Sequence, residues 1–376
     1  MIYWLLLIAF VVASLYALFF FYATIEWLKT REFSVLPNYN VVKFSIIIPF
    51  RNEVESLKIC IQSILEQHYS TDDYEIILVN DHSDDGSELI PDQYFPEHSN
   101  IILLDNKGSG KKEAILTGIK ESKYAHIITV DADTSRGRSW LASFASMFNY
   151  KGVQVVAGGV LMVPLKSNPF HHFQSMDYCG MMALSMIAMR KHWFRNGSGG
   201  NLGFTKDVYA KYLNAEVDKD IHSGDDVFLL HQTYQKGKDN VIFPKSKEIL
   251  AYTFTEKTWK SFMAQRSRWA AKSFNYKEYA MTLIWAFIWI ANLLIPTLFI
   301  FSIIYGGVFI QLLTYSLGTK LLADLIFLKS ATNYFDKGFF KYFFIAELYH
   351  LSYVILVGIN ALLGRKFEWK GTKIKR

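Results

Sequence analysis

In Ala125-His126-Ile127-Ile128-Thr129-Val130-Asp131-Ala132-Asp133 an apolar run stops on two carboxylates separated by one small residue. Such a run is a strand that carries charge to the edge of a sheet. Paired carboxylates at the carboxyl end of a strand sit where open α/β sheets bind ligands, and there they can share a divalent cation with a diphosphate. Asp-x-Asp triplets are equally at home in turns, so the rest of the chain has to decide between the two readings.

Outward from this stretch, Phe44 to Pro49 reads as a buried strand ended by proline, Glu75 to Val79 as a second and Asn100 to Leu104 as a third. Helical stretches lie between and after them at Glu55 to Gln67, Lys111 to Glu121 and Ser139 to Phe148. This alternation predicts an α/β fold with a mainly parallel sheet and right-handed crossovers. Three strand ends are polar: Pro49-Phe50-Arg51-Asn52-Glu53, Asn80-Asp81-His82-Ser83-Asp84-Asp85-Gly86-Ser87, and Asp131-Ala132-Asp133. Their convergence on one edge predicts a pocket.

The chain has 376 residues, of which 51% are hydrophobic and 16% aromatic, high for a protein that lives wholly in water. Ile2 to Thr24 is uncharged over about the ~20 residues a membrane span needs, and it lacks both a basic leader and a small-residue cleavage site. It reads as a retained anchor. Met281 to Thr319 is also uncharged and too long for one span, with Gly306-Gly307 as the turn between two, and a further apolar segment runs from about Phe339 to Gly364. Between anchor and bundle lies a charged cassette of about 240 residues, enough for its own core.

The net charge of +6 does not call for nucleic acid. The tail 365–376 carries six bases against one acid, a local +5 that suits anionic lipid headgroups and the positive-inside bias. The two cysteines, Cys60 and Cys179, show no metal spacing and no disulfide framework, as expected of a reducing cytosolic face.

Several residues are candidates for chemistry, each with a plainer alternative. Asp81 can accept a hydrogen bond from an imide N–H such as that of uracil, or simply belong to a loop; Asp84-Asp85-Gly86-Ser87 reads as a structural acidic turn. Gly108-Ser109-Gly110-Lys111-Lys112 opens a helix, so it is either a phosphate site built from backbone N–H groups and Lys111, or a flexible turn with solvated lysines. It lacks the Walker A spacing. Asn196-Gly197-Ser198-Gly199-Gly200-Asn201 lets backbone approach a sugar closely. Ser223-Gly224-Asp225-Asp226 opens another helix, as an N-cap or as a general base. Gln265, Arg268 and Trp269 share one helical face at i, i+3, i+4, where they can hold a diphosphate and stack on a sugar, or anchor the chain at the membrane interface.

As an ordered set, Asp81, Asp131-Ala132-Asp133, Asp225-Asp226 and Gln265-x-x-Arg268-Trp269 resemble the family 2 glycosyltransferases of GT-A fold, over about Phe44 to Lys272. The flanking apolar segments are similar to those of cellulose, hyaluronan and poly-N-acetylglucosamine synthase-like members. The resemblance implies a Rossmann-like GT-A domain at 42–272 facing the cytoplasm, a transmembrane helix at 1–27, membrane helices at 273–364 and a basic tail at 365–376 of an integral protein of the inner or cell membrane. It implies that Asp81, with Pro49 and Glu53, holds uridine, and that Asp131 and Asp133 bind the sugar diphosphate, where the helix-start reading adds Lys111. Asp131 and Asp133 would carry Mg²⁺ or Mn²⁺, with Asp133 the principal ligand. Asp226 would be the base of an inverting transfer, and Asp225, Gln265, Arg268 and Trp269 would meet diphosphate and acceptor. Asn80, where many members carry aspartate, and Gly224 before the acidic pair, where glutamate is common, depart from the pattern.

The implied partners are a UDP-sugar donor, a membrane-associated lipid or glycan acceptor, and membrane lipids. A processive polysaccharide synthase is the alternative within the class, and a non-catalytic sugar-nucleotide-binding scaffold the alternative outside it. Three full C-terminal spans would leave the basic tail outside, against the positive-inside rule. The ionisable pairs Lys320 with Asp324 and Glu347 with His350 therefore either line a polar path or mark an interfacial or re-entrant segment, and the latter is the expectation.

Overall fold

The computed structural model describes residues 2–214, 225–273, 279–363, 367–369 and 372–374. Helix α1 (Ile2–Lys29) is followed by β1 (Phe44–Phe50), α2 (Leu57–Leu65), β2 (Tyr74–Asn80), α3 (Ile90–Tyr94), β3 (Ile101–Asp105), α4 (Lys111–Glu121), β4 (His126–Val130), β5 (Ser135–Arg136) and α5 (Trp140–Phe148). Next come β6 (Val155–Ala157), β7 (Val160–Val163), α6 (Pro169–Arg190), β8 (Asn201–Thr205), α7 (Lys206–Asn214), α8 (Asp225–Lys236), β9 (Val241–Ile242), β10 (Ala251–Phe254) and α9 (Trp259–Ser273). Three long helices, α10 (Tyr279–Tyr305), α11 (Gly307–Phe335) and α12 (Phe343–Leu362), precede an antiparallel pair, β11 (Phe367–Trp369) and β12 (Thr372–Ile374).

These elements form two compact units, Arg31–Leu161 with Ala188–Phe254, and Met1–Thr30 with Met162–Ile187 and Thr255–Arg376. The first holds a seven-stranded sheet of order β3-β2-β1-β4-β8-β6-β9. The pairs β3-β2, β2-β1, β1-β4 and β6-β9 are parallel, and β8 runs antiparallel to both β4 and β6. Covered on both faces, β1 and β2 are buried at every residue, which is why their sequences are continuous rather than alternating apolar runs. Leu57, Cys60, Ile61 and Ile64 of α2 and Trp140, Leu141 and Phe144 of α5 complete this core.

Pro49 does not end β1; the strand runs one residue further. The Phe50 carbonyl accepts from Asp81 N–H on the β2 side, so the imide nitrogen of Pro49 faces β4, where the ladder has already stopped at Ile47↔Thr129. The proline therefore forfeits no ladder bond. Its position marks where β1 and β4 cease pairing and the carboxyl edge opens.

In the second unit α1, α10, α11 and α12 are each long and apolar enough to cross a membrane. The expected turn is present, with Gly306 and Gly307 at φ of 59° and 46°, a left-handed conformation that suits residues without a Cβ. Lys320 and Asp324 pair as expected, whereas Glu347 and His350 take other partners. Lys320 Nζ lies 2.6 Å from Asp324 Oδ2 and 2.5 Å from Glu347 Oε2, while Tyr16 O–H donates to Asp324 Oδ1 at 2.8 Å, all buried. Glu347 is thus committed to Lys320, and His350 Nδ1 pairs instead with Asp177 Oδ1 at 3.0 Å. One cluster joins α1, α11 and α12 because each charge, once out of water, needs a partner at hydrogen-bonding distance.

Candidate active site at the carboxyl edge of the sheet

Strand β4 delivers Asp131 and Asp133 to the edge, with Ala132 turned into the core at 4% exposure. Lys111, the first residue of α4, forms an ion pair with Asp131 Oδ1. The carbonyl of Asp131 closes a turn, accepting from Thr134 N–H at 3.2 Å and Thr134 Oγ1 at 2.7 Å, while Asp131 N–H donates to the Gly200 carbonyl at 3.3 Å. Gly200 is the one residue type that fits there, because an added Cβ would overlap the Asp131 carboxylate. The glycine-rich loop therefore serves the approach of its backbone to Asp131. Its last residue, Asn201, is buried, donating to the carbonyls of Gly159 and Ile249 and accepting from Trp140 Nε1.

Asp133 keeps contact with solvent on one side and receives Thr253 Oγ1 on Oδ2 at 3.4 Å. Thr253 comes within reach because β10 pairs with β5 in the register Ala251↔Arg136. The protein mass around the Asp133 carboxyl weakens its hydration, and the charges of Asp131 and Glu53 repel its ionised form. Lys111 offsets part of this, and the net effect pushes the group up to about 6.

Asp81, at the end of β2, is 3% exposed. Asn106 Nδ2 donates to its Oδ1 at 2.6 Å, and Gly110 N–H reaches Oδ1 and Oδ2 at 2.9 and 3.0 Å. The glycine-lysine stretch thus spends a backbone N–H at its helix start on Asp81, which orients that carboxylate beside Lys111. Nothing in the local pattern singles out Asn106 beyond its position just past β3.

The loop after β1 is locked to the loop after β2. Asn52 N–H donates to Ser83 Oγ, Glu53 N–H to Ser87 Oγ, Val54 N–H to Asp85 Oδ2, and Asp84 N–H to Asn52 Oδ1. Asp85 is structural here through its carboxylate, while Asp84 contributes its backbone N–H. Asp85 is held below the usual carboxylate range: burial alone would raise it, but bonds from Ser87 and Val54 win. Asn52 and His82 adopt φ of 55° and 60°, unusual for residues with a side chain, which turns both loops sharply over the strand ends.

Asp225 and Asp226 form the start of α8, and their side chains lie outside the described set. In the membrane-helix unit, Gln265, Arg268 and Trp269 lie on α9, where Gln265 Nε2 donates to Glu256 Oε1 at 2.9 Å and Trp269 packs on Tyr178 with centroids 5.6 Å apart. The residue between them, Arg266, is the buried one. Its Nη2 lies 3.0 Å from Asp177 Oδ2, and its guanidinium sits 4.7 Å from the Trp269 ring. Asp177 also accepts from Tyr353 O–H at 2.8 Å. Burial would raise the Asp177 carboxyl, yet Arg266 and His350 hold it below its ordinary value.

Among the described residues no three His, Cys, Asp or Glu side chains converge into a self-sufficient metal cage. The donor set at the edge still fits a hard divalent cation. Asp131 and Asp133 offer anionic oxygen ligands, Lys111 supplies positive charge beside one of them, and magnesium-like sites commonly use one or two carboxylates with substrate phosphates and water completing the shell.

A mainly parallel sheet whose fourth strand ends in an exposed Asp-x-Asp, with four long apolar helices beside it in sequence, is a GT-A-type α/β domain of a membrane-bound kind. Residues 45–213 match Glycosyl transferase family 2, and the chain carries a glycosyltransferase domain of that family. The chain is similar to the glycosyltransferase AglE of Haloferax volcanii, 33% identical over 117 residues, which are 31% of this chain and 38% of that protein. It is similar to the probable glycosyltransferase YdaM of Bacillus subtilis, 24% identical over 61% of this chain and 54% of YdaM. An undecaprenyl-phosphate 4-deoxy-4-formamido-L-arabinose transferase of Photorhabdus laumondii is 38% identical over 25% of this chain and 30% of its own. The similarity thus spans from under a third to just over half the length of these relatives. The same fold is seen in a mannosyltransferase from Pyrobaculum calidifontis, solved with GDP-Man and Mn²⁺, at a TM-score of 0.56, 17% identity and coverage of 94% of this chain and 99% of that one.

Proposed function

We propose that this protein is an inverting glycosyltransferase that moves a sugar from a UDP-sugar to a lipid acceptor at the membrane, with Mg²⁺ or Mn²⁺ at Asp131 and Asp133. The observation that carries the reading is the crowding of Asp131, Asp133 and Glu53 with Lys111 at the open edge of β4, where burial first and the neighbouring carboxylates second push Asp133 up to about 6. The named activity of the undecaprenyl-phosphate relative supports a lipid-linked acceptor, and the Mn²⁺ of the mannosyltransferase neighbour supports the metal. The cytoplasmic face of the inner or cell membrane is where nucleotide sugars are available to residues 42–272.

In this reading Asp81 accepts from the base, with Pro49 and Glu53 beside it, and Lys111 meets the diphosphate. Asp226 takes the proton from the attacking oxygen of the acceptor, a hydroxyl or the protonated oxygen of a lipid phosphate, as that oxygen attacks the anomeric carbon from the face opposite the nucleotide. The bond from that carbon to the phosphate oxygen breaks, the electron pair leaves with the nucleoside diphosphate, and the configuration inverts. Arg268 stabilises the departing charge, and Asp225, Gln265 and Trp269 hold the acceptor. When bound, the divalent cation neutralises the diphosphate, an effect worth several kcal/mol in a partly dry site.

The test is nucleotide release by the purified chain with undecaprenyl phosphate and a panel of radiolabelled UDP- and GDP-sugars. The expected product moves into organic solvent and appears with UDP donors. A polymer insoluble in that solvent would indicate a processive synthase instead. Failure to release nucleotide from any donor would leave only the sugar-nucleotide-binding scaffold.

A further inference from the structure

Behind the paired carboxylates lies a cation that the transfer itself does not use. Arg136 is 7% exposed, on the short strand that leaves the Asp131–Thr134 turn. Its Nη2 donates to the Thr134 carbonyl at 3.0 Å and to Thr134 Oγ1 at 2.7 Å, and reaches Cys60 Sγ at 3.7 Å. Thr134 Oγ1 and Cys60 Sγ both donate to the Asp131 carbonyl, at 2.7 and 3.7 Å. The guanidinium is stacked 4.9 Å from the Trp140 ring, whose Nε1 is held by Asn201. A closed circuit results, running Arg136, Thr134, Asp131, Gly200, Asn201, Trp140 and back.

Nε and Nη1 of Arg136 are buried and find no hydrogen-bond partner among the described residues. Burying an arginine with its donors incompletely used is costly. A neutral residue would fill the space beside Trp140 without that cost, so the guanidinium serves something else within reach. The turn it grips is the one that sets the separation and direction of Asp131 and Asp133.

We propose that Arg136 is a positioning residue of the metal-diphosphate clamp: its guanidinium, seated on Trp140, holds the Asp131–Thr134 turn through Nη2 so that both carboxylates present oxygen to one divalent cation. The proposal rests on the metal reading of the site given above. Lysine does not replace Arg136, since its ammonium is a compact hydrated point charge that cannot lie flat on the indole as a guanidinium does.

The experiment measures Mn²⁺ binding by electron paramagnetic resonance on the full chain in detergent, without turnover, alongside UDP binding in EDTA and the melting temperature. Residues that orient metal ligands through hydrogen bonds are worth about 10- to 100-fold in metal affinity. Arg136→Lys is therefore expected to weaken Mn²⁺ by at least about tenfold and to broaden its signal, with UDP binding in EDTA unchanged. Thr134→Val removes the hydroxyl link without disturbing the Trp140 seat, is expected to act in the same direction, and decides the matter if Arg136→Lys does not fold. Unchanged Mn²⁺ affinity in the folded variants overturns the proposal, as does an equal loss of metal-free UDP binding. Absence of Mn²⁺ binding in the wild-type chain, or its survival in Asp133→Asn, overturns the metal reading itself.

Discussion

The Asp131 carboxylate occupies the space that a Cβ on Gly200 would need, while the Gly200 carbonyl accepts the Asp131 N–H. Two segments far apart in the chain are thereby fitted to each other at the point where the edge of the sheet carries its charge. The contact arises because β8 pairs antiparallel with β4 in the register Val130↔Asn201, which brings the residue before Asn201 alongside the residue after Val130.

Gly200→Ala is expected to displace the Asp131 carboxylate and leave the sheet intact. Misplacing a reacting or ligating group by ~1 Å costs about 10²-fold in rate. Turnover should fall by that order with a melting temperature close to wild type; full activity would show that the Asp131 carboxylate can move without consequence.

The metal should bind less tightly in acid. Asp133, lifted to about 6 by its crowded surroundings and by Asp131 and Glu53, must lose its proton to ligate. Mn²⁺ affinity is expected to rise from pH 5 to pH 7.5 and then level off. The metal-free fold has the opposite sign: the folded state holds this proton more tightly than the unfolded chain, so the associated stability is present below the ordinary carboxyl range near 3.8 and is lost as pH rises through about 6. In EDTA, Asp133→Asn should melt higher than wild type at pH 7.5 and equal to it at pH 3.5.

The Lys320 cluster predicts a large stability effect away from the sheet. Lys320→Met leaves Asp324 and Glu347 buried without their cation, a change that costs about 3–5 kcal/mol. Thermal unfolding in detergent should show a marked drop. Adding Asp324→Asn and Glu347→Gln to the same chain should restore most of it, since the penalty lies in the unpaired charges.

Asp226→Asn is expected to abolish transfer while UDP binding, measured by calorimetry, stays near wild type. General-base removal costs about 10²–10⁴-fold. Loss of nucleotide binding in place of catalysis would assign α8 a different task.

Local sequence patterns reveal some of these features and hide others. The continuous apolar runs of β1 and β2 are visible because burial on both faces leaves no room for alternation, and Gly306-Gly307 is visible because two glycines between apolar stretches have few uses but a turn. Pro49 misleads as a strand end, since whether a proline interrupts a ladder depends on which neighbour its nitrogen faces. Glu347 misleads as a partner for His350, since helical spacing makes them neighbours but says nothing of Lys320 on another helix. Asn106, Arg136 and Thr253 pass unremarked as ordinary polar residues near strand ends.

The alternation of strands and helices, the four apolar segments and the delivery of Asp131 and Asp133 to a sheet edge are all legible in the chain, because each follows from local periodicity and from the cost of burying charge. The surroundings of those carboxylates come from the folded chain alone: Lys111 on one side, Gly200 behind, Thr253 across from Asp133 and Arg136 beneath the turn. Those contacts depend on strand order and register, which are set by packing over the whole sheet and leave no trace in any short stretch of chain.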